Sequence, residues 1–261
     1  LGSLFGETGA AAGLVLGLVM VGASYWFSDA LALRAARAVP VTEWEAPEYH
    51  RIVRELCRDA GLPMPRLYVT PDAQPNAFAT GRSPRRAAVA VTRGILEALT
   101  WDELKGVLAH ELAHVGNRDV LISSVAAAVA TGVSFLANLA GWLPFFGRHE
   151  DDDGPNPVAA LLAVLLAPLA ATLLQLALSR NREYEADRTG AALVGDGRAL
   201  ARALVKIERT ARQVPMVVDP AQASKYVVSP LTGRGGLVTL FMTHPPTAAR
   251  VARLLSQDRE R

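Results

Sequence analysis

The sequence has little cysteine, no phosphate-binding loop and almost no net charge. Cys57 is the single cysteine among 261 residues, so no disulfide can form within the chain, and we expect Cys57 to be a small buried residue. No Gly-x-x-x-x-Gly-Lys segment occurs, so nothing indicates ATP use. The formal net charge of +2 and the hydrophobic fraction of 51% exclude a nucleic-acid-binding chain and a disordered one.

Charged side chains are also absent from three long windows: Gly9–Phe27, Val120–Gly147 and Pro157–Ser179. A helix needs about 20 residues to cross a bilayer core. We therefore predict a transmembrane helix in residues 1–28 and a transmembrane helical hairpin in residues 120–179. The chain starts at the apolar segment Leu1–Gly6 without a methionine, so we also expect residues upstream. Core helices of a soluble protein are the alternative, and Pro168 makes the third window the least secure span.

The charges that flank these windows predict an orientation. Arg34 and Arg37 follow the first window, and Arg180 and Arg182 follow the third, whereas the hairpin tip is acidic. By the positive-inside rule, the polar blocks 29–119 and 180–261 face the cytoplasm. The lipid bilayer is therefore a predicted partner of this multi-pass chain.

Hydrophobic spacing in the polar blocks predicts mainly helices. They are Pro47–Ala60 ending at Gly61, a helix capped by Thr100 and Glu103, Arg182–Val194, Arg198–Arg212 and Thr247–Ser256. Leu67–Thr70 and Ala87–Thr92 are short β-type runs. We expect a mainly α fold with a small β-sheet, an α+β domain with added transmembrane helices. No role is assigned to the irregular segment Pro215–Met242.

The segment His110-Glu111-Leu112-Ala113-His114 lies on the capped helix. A spacing of four residues places both imidazoles on one helix face, at a distance that suits two ligands of one Zn²⁺. Glu111 follows the first histidine and can reach a water molecule at an open coordination position, so it is the candidate general base. The pattern predicts a hydrolytic zinc site.

A catalytic zinc usually takes a third protein ligand. Glu183 and Asp187 share one face of the helix that follows the hairpin, whereas Glu185 points away from that face. Either Glu183 or Asp187 is the predicted third ligand, and the other is expected to orient a ligand histidine through its second ring nitrogen.

Two other functions compete with a surface peptidase. An intramembrane zinc protease would carry its histidines inside an apolar span, but charged residues flank His110 and His114. A membrane chaperone or adaptor with a structural zinc would close its fourth position with a cysteine or histidine. That alternative leaves Glu111 without a role.

Five separated segments resemble the HtpX family of membrane zinc metalloproteases, which are related to the CaaX prenyl proteases. They are Pro75–Gly81, His110–His114, Asn117–Asp119, Ser179–Asp187 and Thr243–Pro246. The resemblance implies a gluzincin-type site in which His110, His114 and Glu183 bind zinc, Glu111 is the base and Asp187 supports a ligand. It also implies a bacterial inner-membrane endoprotease in stress response and quality control, acting on misfolded membrane proteins or unfolded polypeptides. Members of the family have a further hydrophobic span upstream of the position of Leu1, so the resemblance implies one here as well.

Four further assignments concern substrate and transition state. Val89, Ala90 and Val91 would form an exposed edge strand that pairs with an extended substrate, although an ordinary half-buried strand explains them equally. Asn76 is assigned to substrate binding as well. His244 is a candidate donor to the developing oxyanion, with a structural role as the alternative. Arg250 is a candidate partner of the residues that support the metal ligands.

Overall fold

A computed structural model of the protein describes residues 6–125, 129, 179–213 and 245–257. The chain divides into two compact units, one of Leu1–Trp26 with Ile122–Leu178 and one of Phe27–Leu121 with Ser179–Arg261. Most of the predicted hairpin and the segment Pro215–Met242 lie outside the described residues. The description below takes each unit by itself.

The first unit contains helix α1, Gly6–Trp26. Large apolar side chains are exposed along it, with Val15, Leu16, Val19 and Met20 each at least 60% accessible. Within the described ranges, no single helix has both the length and the hydrophobicity to cross a bilayer, and Ala11–Trp26 with Asp29–Ala35 does so only as a pair bent by 74°. The transmembrane helices stay a prediction.

The second unit combines helices with one four-stranded sheet. Its helices are α2 Ser28–Ala35, α3 Pro47–Ala60, α4 Arg93–Ala98, α5 Trp101–Gly116, α6 119–125 (whose last residues belong to the first unit), α7 179–194, α8 Gly197–Gln213 and α9 Thr247–Gln257. Its strands are β1 Val39–Pro40, β2 Arg66–Thr70, β3 Ala77–Thr80 and β4 Ala88–Thr92. This mainly helical unit with a small mixed sheet confirms the predicted α+β class.

Helix α3 has the predicted boundaries. Pro47 occupies its first turn, and Gly61 ends it in a left-handed conformation with φ 65°, which glycine adopts without steric cost. Its apolar face is buried in the core, at Tyr49, Ile52, Val53, Leu56 and Cys57. The Tyr49 hydroxyl donates a hydrogen bond to the Val89 carbonyl at 3.2 Å, which joins α3 to β4.

Strand β4 lies inside the sheet, not at its edge. The strand order is β1-β2-β4-β3, with β2 parallel and β3 antiparallel to β4. All five residues of β4 are buried. The predicted substrate pairing of Val89, Ala90 and Val91 is therefore wrong, because neighbouring strands already take the backbone hydrogen bonds on both sides of β4. The strand at the edge next to β4 is β3.

Helix α5 begins with the predicted capping box. Glu103 accepts a hydrogen bond from the Thr100 backbone at 3.0 Å, and Thr100 Oγ1 accepts one from the Glu103 backbone at 3.4 Å. The buried Glu103 carboxylate also accepts a hydrogen bond from Lys206 Nζ of α8 at 2.7 Å. The same residue thus starts α5 and ties it to α8.

Helix α7 approaches α5 very closely at Gly190. A Cβ atom at Gly190 would lie 2.8 Å from the backbone nitrogen of His110, a distance at which carbon and nitrogen clash. Only glycine allows α7 to come this near, and Glu183 and Asp187 are two turns and one turn earlier on the same helix. The contact therefore positions both carboxylates against the histidine helix.

Candidate metal centre

The two motif histidines of α5 point into one small volume. Their Nε2 atoms are 3.1 Å apart, and the rings meet edge to face with centroids 4.7 Å apart. His110 is 1% exposed, and His114 is partly buried. One helical turn between the residues produces this convergence, as the spacing predicts.

Glu183 of α7 supplies a carboxylate to the same volume. Its Oε1 lies 3.5 Å from His114 Nε2, and its Oε2 lies 3.7 Å from His110 Nε2. One ligand atom from each of the three residues lies within 4.8 Å of the other two. Two imidazoles and one carboxylate are the donor set of a catalytic zinc that keeps an open position, so the residues present fit Zn²⁺.

Asp187 lies behind His110 rather than in the ligand group. Its Oδ1 is 3.0 Å from His110 Nδ1, so the Nδ1–H donates to this carboxylate and Nε2 is left to face the site. The structure thus gives the two carboxylates that the sequence left open different positions. Glu185 is exposed and pairs with Arg188, away from the site.

Arg250 of α9 pairs with Asp187 and also lies against the ligand group, with Nη2 3.3 Å from His110 Nε2 and Nη1 3.6 Å from Glu183 Oε2. Its Nε and Nη2 donate to the two Asp187 oxygens at 2.8 and 2.7 Å, a bidentate pair. Burial acts to raise the pKa of Asp187, but the charge and hydrogen bonds of Arg250 and His110 lower it to about 2. Asp187 therefore stays ionised and can accept the His110 proton throughout the physiological range.

Asp119 supports the second histidine and was not assigned a role from the sequence. Its Oδ2 accepts a hydrogen bond from His114 Nδ1 at 2.5 Å. The Asn117–Asp119 turn brings it back to the helix, with Arg118 in a left-handed conformation at φ 58°. Burial lowers the pKa of His114, but the Asp119 hydrogen bond and the charges of Glu183 and Glu111 raise it to about 9. The sequence signal that could have identified Asp119 is an acidic residue shortly after the His110–His114 motif.

Glu111 is 4% exposed and contacts the edge strand. The backbone N–H of Ala79 in β3 donates to Glu111 Oε2 at 2.7 Å. The candidate general base is thereby held by the backbone of the strand that forms the sheet edge. It is not one of the three residues that form the ligand group.

Two remaining predicted residues have different outcomes. Asn76 is 1% exposed, and its Oδ1 accepts a hydrogen bond from the Ala77 N–H at 2.9 Å, so it shapes the start of β3. Its predicted substrate contact stays a prediction. His244 lies outside the described residues, and its role as an oxyanion donor is untested.

Comparison with known proteins gives concordant matches. The model of peptidase family M48 matches residues 43–258. The chain is 50% identical to the protease HtpX homolog of Pelotomaculum thermopropionicum over 97% of this chain and 91% of that one, and 50% identical to that of Pyrococcus furiosus over 95% and 86%.

One solved structure extends the comparison to the fold. The crystal structure of S. mikatae Ste24p matches with a TM-score of 0.64 at 20% identity. The match covers 96% of this chain and 59% of the Ste24p chain. At this identity the similarity concerns the fold alone.

Proposed function

The chain belongs to peptidase family M48 and, within it, to the HtpX proteases, and from this membership we propose that it is a membrane-anchored zinc endopeptidase of the bacterial inner membrane. The family makes it a metallopeptidase. The observation that carries the proposal is the convergence of His110, His114 and Glu183 within 4.8 Å of one another, beside the buried Glu111.

Zinc would be held by the Nε2 atoms of His110 and His114 and by the Glu183 carboxylate. When bound, Zn²⁺ polarises the scissile carbonyl and stabilises the charge that develops on its oxygen. Asp187 and Asp119 each accept the Nδ1 proton of one histidine, which keeps both Nε2 lone pairs directed at the metal. The protein thus orients every nitrogen ligand through a buried carboxylate.

Glu111 carries the proton in the proposed reaction. As general base it takes a proton from the water molecule that attacks the peptide carbonyl, and as general acid it returns that proton to the departing amine. The hydrogen bond from Ala79 fixes Oε2, so the carboxylate is already oriented before the reaction begins. No other carboxylate is required for this transfer.

The edge strand β3 is the proposed docking site for an extended substrate. The Asn76 carbonyl accepts a hydrogen bond from Thr92 N–H, so the backbone of Asn76 is hydrogen-bonded to β4 and points away from the free edge. By the alternation of an antiparallel pair, Ala77 and Ala79 direct their backbone groups outward. Their N–H groups already donate to Asn76 Oδ1 and Glu111 Oε2, so a substrate would pair with their carbonyl groups. Substrate added at this edge lies beside the general base.

The membrane location and the substrate class rest on the sequence. The uncharged windows and the exposed apolar side chains of α1 support anchoring in a bilayer, and the flanking arginines favour a cytoplasmic site. We propose misfolded or damaged membrane proteins as substrates in a quality-control and stress-response role, on the resemblance to the HtpX family.

The test is proteolysis by the purified full-length chain in detergent, with an unfolded protein such as casein as substrate. We expect cleavage with zinc, loss of cleavage with a chelator and recovery when zinc is restored. Glu111→Gln should retain zinc, because Glu111 is not a ligand, and lose cleavage. Cleavage by the zinc-loaded Glu111→Gln protein would overturn the assigned base, and a zinc-loaded wild type that never cleaves would support an adaptor.

A further inference from the structure

The sheet of the second unit has one end at which β2 and β4 begin and β3 stops. There Arg66 of β2 and Thr80 of β3 both lie opposite Ala88 of β4. The Arg66 guanidinium pairs with Asp29 of α2 at 2.5 Å, and Asp29 comes two residues after Phe27, where the first uncharged window ends. The first window therefore joins the second unit at this end of the sheet.

The other two uncharged windows join the unit at the same end. Val120, the first residue of the second window, lines an open concavity together with Thr80. The third window ends at Ser179, and three residues later Arg182 Nε lies 3.9 Å from Asp119 Oδ1. With the windows in the bilayer, as proposed, this end of the sheet faces the membrane surface.

The turn between β3 and β4, residues 81–87, lies at this end and is compact and basic. A Cβ at Gly81 would clash with the Arg86 carbonyl, and the Arg86 N–H donates to the Ser83 carbonyl at 2.9 Å. Arg82 is half-buried, whereas Arg85 and Arg86 are exposed. Within the described ranges, neither of these two exposed guanidinium groups has a hydrogen-bond or ion-pair partner.

The charges at this end of the sheet are strongly unequal. Residues 28–29, 66, 81–87, 117–121 and 179–182 include seven arginines, two aspartates and no lysine or glutamate. Both aspartates are already compensated, because Asp29 pairs with Arg66 and Asp119 accepts the His114 Nδ1 proton. Arg118 is exposed beside Asp119, so the surface presented to the membrane is positive.

We propose that the turn 81–87 and Arg118 form a surface that binds the headgroups of anionic phospholipids. The inference rests on the membrane anchoring in the proposed function and adds a lipid class to it. Guanidinium groups match phosphate geometry, and each arginine close to an anionic membrane raises affinity about fivefold. The surface continues directly into the uncharged windows, which favours a lipid over a soluble anion. Binding there holds the end of β3, and with it the substrate-docking edge, at the membrane.

The experiment measures how closely the turn approaches lipid headgroups. The full-length chain carries a fluorophore on a Ser83→Cys variant, since the native Cys57 is 3% exposed and should not react. It is reconstituted into phosphatidylcholine vesicles, with and without about 30% phosphatidylglycerol, that contain a trace of lipid with a nitroxide headgroup as contact quencher. We expect phosphatidylglycerol to increase the quenching about twofold or more, and high salt to abolish the increase.

Arginine variants on the labelled chain identify the surface. Arg85→Gln combined with Arg86→Gln should abolish the increase, and Arg118→Gln should reduce it. The matched control is Arg93→Gln, because Arg93 is also exposed but follows the opposite end of β4, and it should keep the increase. All four residues lie on the surface, so circular dichroism should show wild-type helix content in every variant.

Vesicle flotation separates the lipid surface from the anchoring. A chain that floats with both kinds of vesicle but shows equal quenching in them would overturn the lipid surface and leave the anchoring intact. An increase that survives in the double variant, or that Arg93→Gln removes equally well, would also overturn it. A chain that floats with neither kind of vesicle would overturn the anchoring and the surface together, whereas casein cleavage in detergent tests the peptidase independently of both.

Discussion

At the scale of single residues, two carboxylates one helical turn apart serve the same histidine differently. Asp187 is 3.0 Å from His110 Nδ1, whereas Glu183 is 3.7 Å from His110 Nε2. The ring nitrogens face opposite sides of the imidazole, so one carboxylate can orient the ring while the other shares a metal with it. Sequence spacing alone leaves the choice open, because both residues occupy one helix face.

The first prediction concerns the third ligand. Glu183→Ala should lower the zinc content of the purified chain far more than Glu185→Ala, because Glu185 is exposed and paired with Arg188. Zinc per protein is measured by atomic emission after dialysis against a weak chelator. Equal losses in the two variants would show that Glu183 does not bind the metal.

The second prediction concerns the proton on His114. In the metal-free protein its pKa is raised from 6.5 to about 9, so the imidazole is protonated at pH 7, and its contribution to stability is lost as the pH rises through 9. Zinc requires a neutral imidazole, so binding at pH 7 should release about one proton from His114, and less as the pH approaches 9.

Asp119→Asn should reduce this proton release, because the variant removes the carboxylate that favours the charged ring. It should also weaken zinc binding about 10- to 100-fold. Titration calorimetry in two buffers with different ionisation enthalpies measures both quantities. Proton release that is identical in wild type and variant, and constant between pH 7 and 9, would contradict the role of Asp119.

At the scale of elements, local chemistry determines what could be predicted. The boundaries of α3 follow from Pro47, the apolar face and Gly61, and the start of α5 follows from Thr100 and Glu103. Each signal lies within a few residues of the feature it predicts.

Strand order could not be predicted in the same way. β3 is a four-residue strand without hydrophobic alternation, and its pairing with β4 joins segments on either side of a turn. Because the sequence gives no clear signal for β3, it predicts β4 as an edge strand. Asp119 was missed for a related reason, since its contact with His114 depends on the left-handed turn at Arg118.

The third prediction concerns how α7 is positioned. Gly190→Ala should lower zinc affinity at least tenfold, because a Cβ 2.8 Å from the His110 nitrogen must push α7 away from α5 and carry Glu183 with it. Gly116→Ala is the control, since a Cβ there would only contact Leu62 at 3.8 Å. Zinc titration is read together with circular dichroism, which should show that both variants keep their helices. Unchanged zinc affinity in Gly190→Ala would show that α7 tolerates the shift.

At the scale of the whole molecule, the site is assembled from two polar blocks that the two uncharged windows of the predicted hairpin separate in sequence. His110, Glu111 and His114 precede Val120–Gly147, whereas Glu183 and Asp187 follow Pro157–Ser179. Both blocks contribute to one compact unit. If the hairpin crosses the membrane and returns, both blocks emerge on the same side, and the zinc site can form only there.

The last prediction concerns the side of the membrane on which the zinc site lies. Cysteine labelling can test it, because the chain has a single native cysteine. Cys57 is 3% exposed, and burial raises the pKa of its thiol to about 11, so the native thiol should stay unreactive. Trp44 is 96% exposed in the second unit, and Asp151 lies in the acidic tip of the predicted hairpin.

In intact spheroplasts, an impermeant maleimide should label the Asp151→Cys variant and not the Trp44→Cys variant, and permeabilisation should expose both. Labelling of Trp44→Cys in intact spheroplasts would contradict a cytoplasmic site, because Trp44 and the zinc ligands belong to the same compact unit.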